Sequence, residues 1–503
     1  MAIVRSASIS VKIKEFYLNS DKEVVVKIVR EILTLFKITM DCAEDFTYEK
    51  LEIYNTEATK KGVSVKTVLC LQGQGNVQRF ERENWGKPDE KEQAAIHRLI
   101  KLNLYHIFIE ELGRQPAPWG ILHGVRPTKI IHRYIDAGMK QPDILARLQE
   151  EFAVSPQKAE MITTLAFKQR PFLTTSDQHT VSIYIGIPFC LSRCLYCSFP
   201  AYVLPGQKAL EEFWAVLHKD LTAAADAVRE YGLKVQSIYI GGGTPTSLPE
   251  TMFSRLLEET YKFFYMPETV EFTVEAGRPD TISLEKIQAM KKWHVNRVSV
   301  NPQTMQARTL QRIGRKHSPE DVVRVFHQFR EAGMEQINMD VIVGLPGENA
   351  EDMADTIKKI IALQPDDITL HALALKKGSV LKMQLDEFSL PSDKEVQNMF
   401  AIALASVEAA GLEPYYLYRQ GYMSGQLENV GCSRKGAESM YNIQIMEEKQ
   451  TILGIGGAAT SKIIYPHEKR LQTSFNAKDL ITYLKSVDLY IEKRAALLKE
   501  AFA

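Results

Sequence analysis

The sequence predicts an α/β protein built on an incomplete (β/α)6 barrel of the TIM type. Six short β-rich runs alternate with long amphipathic segments in the middle of the chain, and strands that alternate with helices pair in parallel. Reactive side chains, including three closely spaced cysteines, follow these strands, where barrels of this kind bind ligands. We expect an N-terminal α+β domain over residues 1–175, the barrel over 176–412 and a mixed α/β region over 413–503.

Size and composition restrict the class of protein. The 503 residues are enough for about two to four domains, and 45% hydrophobic with 25% charged residues is ordinary for a globular protein. Basic and acidic residues number 62 each, so we expect no broad nucleic-acid surface. No apolar run is long enough to span a bilayer, and the opening MAIVRSASIS lacks the apolar core of a secretory signal. We therefore expect a cytoplasmic protein with no nucleic-acid partner and no membrane span.

The first part of the chain mixes strand and helix patterns. Alternating apolar residues predict a strand at Ser8–Lys14 and a hairpin of Leu51–Tyr54 with Val63–Leu71. Apolar residues spaced three and four apart predict amphipathic helices over Glu23–Phe36 and Asp89–Leu112. These elements predict the α+β domain, which ends in a polar stretch near residue 175.

The middle of the chain supplies the barrel strands and the helices that cover them. Helical patterns such as Leu210–Tyr231 and Pro319–Ala332 separate short apolar runs. Beyond them, the glycine-rich Leu453–Ala459 and a helix over Lys478–Phe502 predict the mixed C-terminal region. The six predicted strands are Val181–Ile185, Ser237–Ile240, Val270–Val274, Arg297–Val300, Gln336–Val343 and Asp367–Ala374.

Three cysteines lie in one loop directly after the first barrel strand. Cys190, Cys194 and Cys197 have the spacing C-x3-C-x2-C, and three thiolates on a short loop can ligate one face of a cubane iron–sulfur cluster. Such a set leaves one iron free for a chelating small molecule. A zinc site is one alternative, but structural zinc takes four ligands and a fourth at suitable spacing is missing. Buried, unliganded thiols are the other alternative. The distant Cys42, Cys70 and Cys432 are interpreted as structural.

Polar residues and glycines follow the next strands. Gly241–Thr246 (GGGTPT) comes after the second strand, and glycines let backbone approach a ligand closely, although a tight turn would also explain them. Glu275 closes the third strand, where a carboxylate can accept hydrogen bonds from both hydroxyls of a ribose; a surface salt bridge is the alternative. Gln303 follows the fourth strand, and Asp340 lies in the fifth, where a buried carboxylate needs a partner.

The cysteine spacing, with Tyr196 directly before the third cysteine, resembles the signature of radical S-adenosylmethionine enzymes. The resemblance implies a 4Fe–4S cluster on the three cysteines, with S-adenosylmethionine chelating the open iron. In that superfamily the reduced cluster donates one electron, the sulfonium cleaves, and a 5′-deoxyadenosyl radical abstracts a substrate hydrogen. The cofactor carries this chemistry, and the protein orients it and excludes water.

A longer series of motifs is more specific. YIGIPFC, GGGTPT, the strand-end Glu275, Gln303, GR-x-H and MDVIVGLPG resemble the oxygen-independent coproporphyrinogen III oxidase family over about Val181–Gly411. The N-terminal WGILHGVRPTKI is similar to a segment of that family's HemZ-type coproporphyrinogen dehydrogenases. In the family two S-adenosylmethionine molecules bind side by side, so two per chain are implied here.

The resemblance carries cofactor positions over to individual residues. At the cluster-bound S-adenosylmethionine it places Tyr184, Tyr196, Gly242 and Glu275. Around the second molecule it places Gly243, Thr244, Gln303, Arg315, Asp340 and Ala374, with Thr460 added from the C-terminal region.

Two positions depart from the oxidase branch. Phe199 stands where that branch has a further cysteine, and Gly186 stands where it has a histidine before Ile-Pro-Phe-Cys. The phenylalanine is similar to a sister branch that binds and delivers haem. Candidate haem ligands are His123, His132, His294, His317, His371 and His467.

The resemblance implies an activity: oxygen-independent oxidative decarboxylation of coproporphyrinogen III to protoporphyrinogen IX in haem biosynthesis. It also implies a tetrapyrrole substrate and an electron donor such as flavodoxin or ferredoxin. A tetracarboxylate needs cationic partners, for which Arg419, Arg434, Lys376 and Lys377 are candidates. Two alternatives stay open, a haem-binding chaperone and another radical reaction on a tetrapyrrole.

Overall fold

The chain divides into two compact units, Met1–Thr164 and Leu165–Ala503. The domain boundaries expected near residues 175 and 412 stay predictions. No helix in the described part of the chain is both long and apolar enough to cross a membrane. The computed structural model describes residues 12–17, 22–36, 49–55, 63–72, 77–87, 90–111, 113–114, 116–173, 178–376, 378–420, 423–465, 468 and 470–503.

The first unit is the α+β part of the chain. Its four-stranded sheet has the order β1-β2-β3-β4, with β1 parallel to β2 and the other pairs antiparallel. The predicted hairpin is therefore confirmed as β2 and β3. The strands are β1 (Lys12–Tyr17), β2 (Glu49–Asn55), β3 (Ser64–Gln72) and β4 (Val77–Trp85), and the helices are α1 (Lys22–Leu35), α2 (Glu92–His106), α3 (Thr128–Asp136), α4 (Gln141–Phe152) and α5 (Pro156–Leu173), the last of which continues into the second unit.

Two predicted elements of this unit need correction at their ends. Of the strand expected at Ser8–Lys14, residues 8–11 lie outside the described residues, and the described strand runs on to Tyr17. The helix expected over Asp89–Leu112 is α-helical only to His106, and a π-helical turn, Ile107–Glu111, follows it. Ile107 and Phe108 of that turn are buried, so the wider turn still presents apolar side chains to the core.

The six predicted barrel strands are all present in the second unit. These six strands are neighbours in sequence order in the sheet and every adjacent pair is parallel, so all six carboxyl ends lie on the same side. A two-residue pair, β6 with β7, follows the first of them. The strands are β5 (Thr180–Ile187), β6 (Phe189–Cys190), β7 (Tyr202–Val203), β8 (Lys234–Gly242), β9 (Glu271–Glu275), β10 (Arg297–Ser299), β11 (Gln336–Val343) and β12 (Asp367–Ala372).

The strands after residue 412 continue the same sheet beyond its two outermost barrel strands, β5 and β12. On one side β15 pairs in parallel with β5, and β16 and β17 follow in antiparallel order. On the other side β14 pairs antiparallel with β12, and β13 pairs with β14. The result is an eleven-stranded sheet. These strands are β13 (Glu413–Tyr418), β14 (Asn429–Ser433), β15 (Thr451–Gly456), β16 (Thr460–Tyr465) and β17 (Arg470–Phe475).

Amphipathic helices cover the sheet. The helix after β7 buries Leu210, Phe213, Trp214 and Leu217, whose three- and four-residue spacing forms one apolar stripe. The second helix after β10, over Pro319–Glu331, begins at a capping box in which Ser318 and Asp321 satisfy each other's backbone N–H groups. The helices are α6 (Gln207–Glu230), α7 (Glu250–Phe264), α8 (Leu284–Lys292), α9 (Ala307–Arg312), α10 (Pro319–Glu331), α11 (Ala350–Ala362), α12 (Val380–Met383), α13 (Asp393–Ala409), α14 (Met440–Glu447) and α15 (Leu480–Phe502).

A buried carboxylate ties α6 and α15 to the sheet. Asp220 has no exposed surface, and its carboxylate lies 2.7 Å from the Arg494 guanidinium of α15. The same carboxylate accepts hydrogen bonds from the Tyr483 hydroxyl, the Asn476 amide and the backbone N–H of Gly456. Burying this charge is tolerable because four donors surround it.

We expect Arg494→Met to lower the free energy of unfolding of the second unit by about 3–5 kcal/mol, because Asp220 would stay buried without its counter-charge. Urea titration followed by tryptophan fluorescence measures this change. The matched control is Lys219→Met, which removes the exposed ion pair of the neighbouring residue with Asp488 and should cost about 0–1 kcal/mol. Equal losses in the two variants would contradict the importance of the buried carboxylate.

Candidate functional site

The carboxyl ends of the parallel strands enclose a cavity of about 540 Å³. The cysteine loop, the glycine-rich segment at the carboxyl end of β8, and residues at or after the ends of β9 to β11 all contribute to its wall. Ten of the residues singled out from the sequence line it: Cys190, Cys194, Tyr196, Cys197, Gly243, Thr244, Glu275, Gln303, Arg315 and Asp340.

Backbone hydrogen bonds hold the cysteine loop in place. The N–H of Cys197 donates to the carbonyl of Cys194 over 3.1 Å, and the N–H of Leu195 donates to the carbonyl of Ile313 over 3.0 Å. The Thr244 hydroxyl donates to Cys190 Sγ over 3.3 Å. Burial raises the pKa of the Cys190 and Cys197 thiols. The loop is thus fixed from two sides before anything binds to it.

The glycine-rich segment has to be glycine for steric reasons. A Cβ at Gly241 would lie 2.7 Å from the carboxyl carbon of Glu275, and one at Gly243 would lie 2.5 Å from the carbonyl oxygen of Phe189. Gly242 has φ +106°, a conformation that other residues rarely adopt, and its N–H donates to Glu275 Oε2 over 3.1 Å. The segment therefore lies directly against both the cysteine loop and the strand-end carboxylate.

Glu275 is one of two acidic side chains that line the larger cavity, the other being Asp340. Its Oε1 accepts a hydrogen bond from the Tyr239 hydroxyl over 2.7 Å. Burial raises the pKa of Glu275 to about 7, although the Tyr239 and Gly242 donors act in the opposite direction. A carboxyl group with this pKa changes its charge near neutral pH, so hydroxyl groups of a ligand that donate to it would favour its ionised form.

A second cavity of about 260 Å³ adjoins the first. Tyr196, Cys197, Phe199, Gln303 and Asp340 line both cavities, so the two spaces share one wall. The remaining lining of the smaller cavity includes His371, Ala374, Lys376, Tyr418 and Asn429.

Gln303 and Asp340 occupy the shared wall in unusual environments. Gln303 has φ +65°. Its backbone N–H donates to the Asp340 carbonyl and its carbonyl accepts from the Ile342 N–H, each over 2.9 Å, so both backbone groups of Gln303 are bonded to β11. Its buried Oε1 has no hydrogen-bond partner in the described part of the chain. Burial would raise the pKa of Asp340, but His371 and Asn338 outweigh it and hold that pKa below its usual value. Asp340 therefore stays ionised near neutral pH.

The Arg315 guanidinium is held by hydrogen bonds within the protein, which leaves fewer of its N–H groups for a ligand carboxylate. Its Nη1 donates to the carbonyls of Gly277 and Asn301 over 3.0 and 2.7 Å, and its Nη2 donates to the Tyr196 hydroxyl over 3.2 Å. Its buried Nε lacks a partner among the described residues. The guanidinium thus joins the segments after β9 and β10 to the cysteine loop, and its predicted contact with a cofactor stays a prediction.

Four predicted residues lie outside the first cavity's lining. Tyr184 on β5 stacks with Tyr239 and Tyr441, with ring centroids 6.2 and 6.1 Å apart, beneath Glu275. Gly242 acts through its N–H as described, and Ala374 lines the smaller cavity. Thr460 begins β16 and lines neither cavity.

The comparisons with known proteins agree with this geometry. A family model described as Radical SAM superfamily matches residues 184–360. The Bacillus subtilis (strain 168) protein named oxygen-independent coproporphyrinogen-III oxidase-like protein HemZ is 36% identical over 422 residues, which cover 82% of this chain and 84% of that protein. The chain belongs to this family of radical SAM proteins.

Two further similarities bear on the branch. The protein named heme chaperone HemW of Bacillus subtilis (strain 168) is 31% identical over 55% of this chain and 70% of its own length. The structure of the Escherichia coli coproporphyrinogen III oxidase HemN superposes with a TM-score of 0.52 at 23% identity, over 64% of this chain and 72% of that one. The HemN likeness establishes the fold.

The three thiols fit an iron–sulfur cluster better than a single metal ion. Cys190, Cys194 and Cys197 are free and line one cavity. Yet no three histidine, cysteine or acidic side chains within the described ranges are placed to hold one ion. A tetrahedral zinc with bonds of about 2.3 Å needs its sulfurs within about 4 Å of each other. A cubane cluster binds each thiolate to a different iron, so wider spacing suits it.

Of the other cysteines, only Cys432 has a described side chain, and it lines neither cavity. Cys432 is buried in β14, with no exposed surface. Cys42 lies outside the described residues, as does the side chain of Cys70. Their structural interpretation stays a prediction.

Sequence reasoning missed two residues of the site. Arg278 lines the larger cavity, and its Nη1 lies 3.7 Å from Cys194 Sγ. Its position three residues after the strand-end Glu275 was the available signal. Tyr239 faces Glu275 from β8, and a polar hydroxyl among its apolar neighbours in IYIGGG was the signal there.

Among the candidate haem ligands, His371 lines the smaller cavity and His317 lies close to the larger one. Burial, with Arg315 acting in the same direction, lowers the pKa of His317 to about 4, and both of its ring nitrogens are buried without a partner in the described part of the chain. His294 packs against Tyr261, at 5.3 Å between ring centroids, and lines neither cavity. His123 and His132 belong to the first unit, and His467 lies outside the described residues.

We expect Ala at Cys190, Cys194 or Cys197 to remove most cluster iron and sulfide, because each thiolate would ligate a separate iron. Iron and sulfide analysis with visible absorption after anaerobic reconstitution measures the loss. Cys432→Ser is the matched control and should keep the cluster. Full iron content in a loop variant would contradict the assignment.

We expect S-adenosylmethionine to bind about tenfold more tightly at pH 8 than at pH 6, because ribose hydroxyls donate to ionised Glu275 and its pKa is about 7 in the free protein. The ionised fraction rises with pH through that value, so the dissociation constant falls. In Glu275→Gln, binding should be weaker by about ten- to a hundredfold at pH 8 and lose this component of the pH dependence.

Equilibrium dialysis of the anaerobic, cluster-loaded protein at several pH values measures both effects. Glu348→Gln is the matched control, because burial also raises the pKa of Glu348 to about 7 but this residue bonds to Thr304 and lines neither cavity. The same pH profile in wild type and Glu275→Gln would contradict the role of Glu275.

Proposed function

We propose that this chain catalyses the oxygen-independent oxidative decarboxylation of coproporphyrinogen III to protoporphyrinogen IX. Each of two propionate side chains would lose one β-hydrogen atom to the cofactor-derived radical, then lose CO2 and pass one electron to a one-electron acceptor, and become a vinyl group. The observation that carries the proposal is the pair of adjoining cavities at the strand ends, which share Gln303 and Asp340. Two hydrogen abstractions require two equivalents of cofactor, and two joined spaces support binding of two S-adenosylmethionine molecules.

The bound cluster and cofactor would supply a hydrogen-abstracting radical when reduced. The residues of this chain would bind, orient and protect the reacting groups. Cys190, Cys194 and Cys197 would hold the cluster, and Glu275 would accept the ribose hydroxyls of the adjacent cofactor. Gln303 Oε1 and ionised Asp340 would accept from polar groups of the second molecule. The apolar Phe199, on the shared wall, would help to exclude water.

Of the four cations considered for the propionates, the structure favours Lys376. It lines the smaller cavity, and no carboxylate of the described residues is among the groups that act on its charge. Arg434 donates to the carbonyl of Pro365, at the amino end of β12, and Arg419 donates to the carbonyls of Gln426 and Leu427. Lys377 lies outside the described residues.

The proposal includes partners and a location. The cofactor chemistry consumes one electron per cycle, which supports a one-electron donor such as flavodoxin or ferredoxin. A cytoplasmic site of action is part of the same proposal, since an iron–sulfur cluster on thiolates requires reduced cysteines.

A second candidate function is haem binding and delivery. Phe199 stands where the oxidase branch carries a further cysteine, and a protein named heme chaperone HemW is 31% identical. His371 would be the haem ligand in that case, because its ring lines the smaller cavity and its Nε2 lies 3.7 Å from the Asp340 carboxylate of the shared wall.

We expect the cluster-loaded protein, incubated without oxygen with S-adenosylmethionine, a reductant and coproporphyrinogen III, to form protoporphyrinogen IX with two equivalents of 5′-deoxyadenosine. Chromatography of the porphyrins and nucleosides measures both. Lys376→Met should raise KM for the substrate by about ten- to a hundredfold, because a charge-assisted bond to a carboxylate is lost. The exposed Lys382→Met on α12 is the control and should leave KM unchanged.

Equilibrium dialysis distinguishes the alternatives. Two S-adenosylmethionine molecules per chain with product formation support the proposal. One molecule bound, together with tight haem binding that His371→Ala abolishes and no decarboxylation, would replace it with the chaperone function. Two molecules bound without product would indicate another radical reaction on a tetrapyrrole.

A further inference from the structure

A buried arginine touches the cysteine loop from outside the cysteine motif. Arg278 follows β9, and its Nη1 donates to the carbonyl of Ser192 over 3.1 Å and lies 3.7 Å from Cys194 Sγ. The other side of the guanidinium makes a bidentate ion pair with the Asp280 carboxylate: Nε donates to Oδ1 over 3.2 Å and Nη2 donates to Oδ2 over 3.1 Å. The side chain of Arg278 is only 4% exposed. The charge is therefore fixed beside a cluster ligand and shielded from water.

A fixed cation at this place has a defined effect on a cluster. Taking up one electron makes the cluster and its thiolates more negative, so a nearby cation stabilises the reduced form more than the oxidised form. Hydrogen bonds to the ligand sulfurs act in the same direction, and both are known determinants of cluster potentials. Burial strengthens the interaction because fewer water molecules screen it.

The Asp280 carboxylate offsets part of the effect of Arg278 on the cluster. Its carboxylate is farther from the sulfur than the guanidinium, since Arg278 stands between them, and its side chain is 20% exposed. Burial would raise the pKa of Asp280, but Arg278 outweighs it and keeps that pKa below its usual value. The carboxylate is therefore ionised and neutralises part of the arginine charge that the cluster experiences.

We propose that the Arg278–Asp280 pair sets the reduction potential of the cluster on Cys190, Cys194 and Cys197, with Arg278 raising it and Asp280 moderating it. Arg278 is therefore a positioning residue, which acts on the cluster through the Cys194 sulfur and does not ligate iron. The inference requires the cluster that the family implies, but it does not require the proposed decarboxylation.

Other cations near the loop do not take this place. Arg193 is exposed, and its Nη2 donates to the carbonyl of Gly378 over 2.5 Å. Arg315 also acts electrostatically on Cys194, but its hydrogen-bond partners in the described residues are two backbone carbonyls and the Tyr196 hydroxyl, so it has no acidic partner that could be varied with it. Arg278 combines sulfur proximity with an acidic partner, so its two residues can be varied with opposite signs.

The test is a redox titration of the cluster-loaded protein without S-adenosylmethionine, followed by electron paramagnetic resonance of the reduced cluster. We expect Arg278→Gln to lower the midpoint potential, Arg278→Lys to give a value between this variant and wild type, and Asp280→Asn to raise the potential. A role limited to holding the Ser192 carbonyl would not produce shifts of opposite sign.

The Arg330–Asp366 pair serves as the matched control. It joins α10 to the segment before β12, at the amino ends of the strands, opposite the cysteine loop. Arg330→Gln and Asp366→Asn should leave the midpoint unchanged, so any general effect of removing an ion pair is measured separately.

Three outcomes would overturn the inference. These are unchanged midpoints in both Arg278→Gln and Asp280→Asn, shifts of the same sign in the two, or shifts of equal size in the control pair. If Arg278→Gln fails to assemble a cluster, Arg278→Lys and Asp280→Asn decide: a lower and a higher potential, respectively, support the inference, and any other combination overturns it. Loss of substrate turnover with a shifted midpoint would concern the proposed function alone.

Discussion

Every feature of the site depends on six consecutive strands lying parallel and in sequence order. Because β5, β8, β9, β10, β11 and β12 all run the same way, each strand delivers its next residues to one edge of the sheet. Residues as distant in sequence as Cys190 and Asp340 thereby line one cavity.

The edge concentrates charges and polar atoms that would be costly to bury elsewhere. Glu275 has Tyr239 and Gly242 as donors, and Asp340 has Asn338, yet Gln303 Oε1 and Arg315 Nε stay unpartnered within the described residues. Such groups reduce stability unless a ligand satisfies them. The folded chain therefore presents unsatisfied polar groups to a ligand before the ligand binds. The buried apolar faces of helices such as α6 compensate for the stability that these polar groups cost.

The departures from the oxidase branch change the chemistry around the cluster and leave its ligands alone. Phe199 replaces a thiol by an aromatic ring, which lies close to Gly242 and lines both cavities. Arg278, which is a separate feature of the site, places a cation beside Cys194. Under the proposed function, the Phe199 ring would pack against an apolar macrocycle and Lys376 would pair with its carboxylates. The same surroundings would suit a porphyrinogen or a haem, so the choice between them depends on whether a hydrogen atom of the bound ligand lies near the cofactor.

The sequence by itself determined the fold class, the six barrel strands, the cysteine loop and the order of the strand-end residues, because these depend on local periodicity and spacing. Only the tertiary structure decided how the later strands extend both sheet edges, since edge pairing depends on which backbone groups remain free after the core sheet forms. It also decided the contacts of Arg278 and Tyr239 and the bonding of Arg315 to backbone carbonyls. These are encounters between side chains and distant segments, and no spacing in the sequence specifies which partner lies within about 3 Å.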